Sequence, residues 1–90
     1  MFKPYKETDD YRIVLEDEQG NLFVHFVAYA WNKSIREEAL SEWSKLKDKA
    51  LSAGYDKIHT YTHNPKFCIL LGGTKTFEFR DYEVFTWALK

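Results

Sequence analysis

One cysteine, two prolines and four glycines are all that this 90-residue chain holds of the residues that staple, kink or loosen a fold. Cys68 has no second cysteine to pair with, so an internal disulfide is excluded and a reducing cytoplasm is the expected compartment. Its neighbours Phe67 and Ile69-Leu70-Leu71 mark it as a buried core thiol. A structural zinc site, which draws on several cysteines and histidines, is not expected. No apolar run approaches the ~18 residues that a membrane span needs. The opening Met1-Phe2-Lys3-Pro4 lacks the apolar stretch of a signal peptide. An excess of either charge is missing too, with 13 basic against 14 acidic residues. Nucleic-acid binders carry a basic excess or stripe and a DNA mimic an acidic one, so neither class is expected. With no linker, repeat or low-complexity stretch, residues 1–90 read as one domain near the lower size limit for folding without crosslinks.

Aromatic side chains are present in surplus: three Trp, six Tyr and seven Phe, or 18% of the chain. A core this small cannot hide them all, and exposed Trp and Tyr are the residues that dominate protein interfaces.

Hydrophobic periodicity sets the expected elements. Residues 1–10 read as irregular. Tyr11 to Leu15 alternates as a strand, Glu16 to Asn21 reads as a solvated turn, and Leu22 to Tyr29 as a central strand, apolar on both faces. Asn32 or Ser34 caps a helix, with Ser34 and Glu37 at capping-box spacing. Ile35, Ala39, Trp43, Leu46 and Ala50 form its apolar stripe, widened by Leu40 and Leu51, and Gly54 falls at the C′ position. Tyr55 to Thr62 is then a parallel strand reached by a right-handed crossover. Pro65 opens a two-turn helix that ends at Gly72-Gly73. Thr74–Arg80 and Glu83–Leu89 make a hairpin around Asp81-Tyr82. The order β-β-α-β-α-β-β predicts an α+β domain (an α/β sandwich) with a five-stranded mixed sheet.

Little of the polar inventory forms a site on paper. His59 and His63 share a strand face ~13 Å apart at ~3.3 Å per residue, too far to hold one ion. His25 reads as a packed histidine with one hydrogen bond. The serines lack a nucleophile-elbow context, and Gly72-Gly73 reads as a cap.

The layout, and most specifically Asn64 followed by Leu70-Leu71-Gly72-Gly73, resembles the C-terminal two-thirds of the GNAT (Gcn5-related N-acetyltransferase) fold over residues 11–90. It looks most like short acetyltransferase-like proteins of bacteriophages. The resemblance implies acetyl-CoA as cofactor and a minimal N-acetyltransferase, with Asn32, Lys33, Ser34, Arg36 and Asn64 near the cofactor. The family's glycine-rich pyrophosphate turn is replaced here by Ala30-Trp31-Asn32-Lys33-Ser34-Ile35-Arg36, and its catalytic tyrosine by Ile69-Leu70-Leu71. The leading expectation is therefore a cofactor-free, non-catalytic phage-type protein that binds another protein, as a host-factor inhibitor or virion component, with a homodimer as a further option. Trp31, Tyr61, Tyr82, Phe85 and Trp87 are the expected contacts, acting in the cytoplasm.

Overall fold

The computed structural model describes residues 2–63 and 65–89. The expected α+β class holds, but the sheet has six strands. These are β1 (Phe2–Glu7), β2 (Tyr11–Glu18), β3 (Asn21–Ala28), β4 (Lys57–Thr62), β5 (Thr74–Phe79) and β6 (Tyr82–Ala88). Helix α1 (Lys33–Ser52) joins β3 to β4, and the short α2 (Lys66–Leu70) joins β4 to β5. The strands lie in the order β1-β2-β3-β4-β6-β5, with β3 and β4 parallel and every other pair antiparallel.

The additional strand comes from the segment expected to be irregular: β1 pairs antiparallel with β2, with a register shift between Pro4 and Lys6. A proline and an extra residue obscure the alternation that would reveal this strand, and an edge position is where a sheet tolerates both. The acidic run at Glu16 to Glu18 also belongs to a strand. The turn itself is only Gln19-Gly20, both at positive φ, the geometry of a tight hairpin turn. The last hairpin turns at Arg80-Asp81, one residue earlier than expected, with Tyr82 already in β6.

Helix α1 is capped by Asn32, whose side-chain oxygen accepts the Ile35 N–H at 3.0 Å. The residue after its C-cap is Gly54 at φ +99°, a conformation costly for any residue with a Cβ. Its buried stripe is Ile35, Ala39, Leu46 and Ala50. Leu51, expected to widen it, is exposed, and Glu42 is buried in its stead. The Lys6 ammonium, 3.0 Å from Glu42 Oε1, compensates that burial and holds the carboxyl below the usual carboxylate range.

Strand register divides the sheet into two faces. Ile13, Leu22, Val24, Ile58, Phe85 and Trp87 share one face with the α1 stripe and with Cys68 of α2 in a single core. The Phe67 ring packs tilted on Phe26 with centroids 5.1 Å apart, and the Trp87 indole N–H donates to Leu71 O at 3.1 Å, so α2 lies over this same face. The other face, carrying Phe23, His25, Val27, His59, Tyr61 and Tyr82, has neither described helix over it. Below it is called the open face.

Candidate functional site

The open face carries a ladder of rings. Phe2 lies 5.7 Å from His25, His25 4.7 Å from Tyr61, Tyr61 5.8 Å from Tyr82, and Tyr82 4.0 Å from His63, centroid to centroid. Phe23 branches from it, 5.3 Å from His59 and 5.9 Å from Tyr61. The strands that bear these rings are fixed from behind by the core, so the ladder is held by the sheet. All three histidines of the chain belong to it.

His25 and His59 have distinct polar partners. His25 Nε2 is 3.0 Å from Glu16 Oε1, which makes Glu16 a paired strand residue where the sequence suggested a solvated turn acid. His59 Nδ1 is 2.9 Å from Thr86 Oγ1. Burial pushes the His59 imidazole pKa down, helped by the Lys57 charge. Burial also pushes the Tyr61 hydroxyl up, so at neutral pH it is a neutral donor and acceptor.

The expected partner-binding residues divide between the two sides of the sheet. Tyr61 and Tyr82 lie on the open face and are about 40% exposed. Trp31 is half-exposed at the mouth of the helix side, 5.2 Å from Phe67 and 6.3 Å from Phe26. Phe85 and Trp87 are not surface residues: they are only 3% and 7% exposed. The cause is register, because Thr60 and Ile58 pair opposite them and direct them under the helices. Sequence reasoning missed Phe2, Phe77 and Phe79, all more than half exposed. Phe77 and Phe79 pair across from Val84 and Tyr82, which places them on the open face beside the ladder. Phe77 and Phe79, alternating with Thr76, Glu78 and Arg80, were the available signal in β5.

A second feature lies at the centre of the sheet. The parallel strands β3 and β4 are in register only at Leu22–Ile58 and Phe23–His59. Beyond these pairs a cleft of about 290 Å³ opens, lined by Phe26, Val27, Thr60, Tyr61, Phe67 and Cys68 among others. Open sheets characteristically bind ligands at the carboxyl ends of parallel strands. Of the residues expected near a nucleotide cofactor, Lys33 and Ser34 are exposed and Arg36 is half-buried at the start of α1. Asn64 lies outside the described residues. The fit to a pyrophosphate is poor. The Ile35 amide is already taken by Asn32, no glycine opens the turn, and Trp31 packs across Phe26 and Phe67. Cys68 borders the cleft but is held as a neutral thiol, its pKa pushed up to about 11 by burial.

No protein-family model, no curated protein and no solved structure matches this chain. Among the described residues, no helix is long and apolar enough to cross a membrane.

Proposed function

We propose that this chain is a small, non-catalytic protein of phage type on a GNAT-like shell. It works in the cytoplasm by binding another protein through the open face of its sheet, as a host-factor inhibitor or a virion component. The observation that carries this reading is the ring ladder on a sheet face without a described helix over it. Phe2, Tyr61, Phe77, Phe79 and Tyr82 are each about half exposed. At ~150–250 Å² per aromatic side chain they present on the order of 500 Å² of ring surface, towards the upper end of the ~300–600 Å² expected for the largest patch on a monomer. The patch carries both signs without a basic excess, with Arg12 and Lys57 against Glu7, Glu16 and Glu18, which suits a protein partner better than a phosphate backbone.

The experiment pairs the wild-type chain with a Val27→Glu/Tyr61→Glu variant as baits in host lysate. Both positions are exposed, so circular dichroism should report an unchanged fold. The expected result is a partner retained by the wild type and lost by the variant. A partner that binds both equally removes the open face from the argument.

The divergence of β3 and β4 is the observation in favour of a minimal acetyl-CoA-dependent N-acetyltransferase. Against it stands the poor fit of the turn before α1 to a pyrophosphate. Calorimetric titration with acetyl-CoA separates the two readings: saturable binding would overturn the non-catalytic one, and absence of heat at millimolar ligand supports it.

A further inference from the structure

A six-stranded open sheet has two outer strands, each with one side of its backbone unpaired, and natural sheets blunt such edges. The β1 edge is blunted by Pro4, which has no N–H to offer, and by the irregularity between Pro4 and Lys6. The β5 edge, Thr74-Lys75-Thr76-Phe77-Glu78-Phe79, has no proline and all six of its residues are exposed. Its lysine is already neutralised within the chain, with Lys75 Nζ 3.4 Å from Glu78 and 3.3 Å from Glu83.

The register shift between Lys75 and Phe77 gives this strand an unusual symmetry. Lys75 and Glu78 pair opposite Phe85 and Glu83, on the helix side. Thr74, Phe77 and Phe79 pair opposite Thr86, Val84 and Tyr82, on the open side. Thr76 joins them there, its hydroxyl 2.9 Å from that of Thr86. From the midpoint between Thr76 and Phe77, the facing pattern is therefore the same in both directions.

We propose that a second copy of this chain docks on β5, strand to strand and antiparallel, about that midpoint. In this register Lys75 lies opposite Glu78 of the second copy on the helix side. Thr76 lies opposite Phe77, and Thr74 opposite Phe79, on the open side. Every opposed pair shares a face, as a ladder requires, and the only charged pairs are of opposite sign. Two shorter registers also keep opposed residues on one face, but one sets Lys75 against Lys75 and the other Glu78 against Glu78. The sequence thus selects one pairing and disfavours its neighbours. The twofold axis runs perpendicular to the sheet, so the two open faces become one platform with Phe77 and Phe79 at its centre. This inference stands on the edge strand and does not depend on what the open face binds.

A single strand pair buries less than the ~800 Å² per partner of a standard interface, so the dimer is concentration-dependent. Sedimentation equilibrium from about 10 µM to about 1 mM, a span that brackets weak association, should show the mass rising from one chain towards two. Amide exchange followed by NMR should slow on β5 over the same range. K75E and E78K each set like charges opposite one another and should return the protein to monomer, whereas K75E/E78K restores opposite charges and the dimer. The Val27→Glu/Tyr61→Glu variant should dimerise like the wild type. A monomer at every concentration overturns the proposal. So does a dimer that the charge variants leave intact, or one that Val27→Glu/Tyr61→Glu abolishes; that last result would place the contact on the open face.

Discussion

Replacing Gly73 with alanine would drive a methyl group into Trp87. A Cβ built on Gly73 lies 2.7 Å from Trp87 Cζ2, 2.8 Å from Cε2 and 3.1 Å from the Cys68 carbonyl oxygen. Carbon atoms pack comfortably at ~3.5–4.0 Å, so about 1 Å of relief is required. The indole cannot readily supply it. Its N–H is bonded to Leu71 O, its ring meets that of Trp43 in a T-shaped contact with centroids 4.7 Å apart, and it is 7% exposed. Overpacking of this kind costs about 1–3 kcal/mol. In a domain of this size each kcal/mol lowers Tm by roughly 4–8 °C. Gly72 is the natural control: it sits at φ +82° with nothing within 4 Å of its would-be Cβ. Gly72→Ala therefore costs the left-handed penalty of ~1–2 kcal/mol by itself. The two mechanisms separate in a Trp87→Phe background, where Cζ2 and Cε2 are gone. Urea denaturation of the four proteins in each cycle should show Gly73→Ala costing about 0.5–3 kcal/mol less in that background, and Gly72→Ala costing the same in both. Equal costs for Gly73→Ala in the two backgrounds would refute the steric account.

The two tryptophans that meet edge-to-face, Trp43 and Trp87, should respond differently to substitution by phenylalanine. Trp87→Phe breaks the bond to Leu71 O, whereas the Trp43 indole N–H is buried without a partner among the described residues. Chemical denaturation should therefore show Trp43→Phe as the milder change, because it also removes an unsatisfied donor; the opposite ranking would contradict this reading. Cys68, with its thiol pushed up to about 11, should resist Ellman's reagent in the native protein at pH 8 and release one thiol on denaturation. Prompt labelling of the folded chain would contradict that. His59 has a folded pKa below its unfolded value of ~6.5. Between the two values the unfolded chain binds more protons, so stability rises with pH. The His59 contribution is fully present above the unfolded pKa and fades as pH falls through it towards the folded value. Thermal melts from pH 5 to 8 should show a shallower acid-side loss in His59→Gln than in the wild type. Parallel slopes would assign the loss to other groups.

Local signals in the chain determined the elements. The stripe from Ile35 to Ala50, bounded by Asn32 and Gly54, sets α1, because caps and a 3.6-residue period act within a few turns. Alternation and Gln19-Gly20 set the β2–β3 hairpin, and a helix between two strands set their parallel pairing. Gly72-Gly73 is legible as a helix stop, although only the structure divides the pair into one glycine needed for its backbone angle and one for the space beside Trp87. What the chain could not reveal was which surface each strand turns towards the helices. Alternation separates Tyr82, Val84 and Thr86 from Phe85 and Trp87, but it is silent on which set is buried. That was decided by the pairing of Ile58 with Trp87 and by both helices settling on one side. The same cause hid the ring ladder, since its members come from β1, β3, β4, β6 and His63 just after β4, and meet only when the register of the sheet aligns them. Periodicity is a property of neighbours in sequence, whereas a binding face is a property of neighbours across strands, and only the folded sheet fixes those.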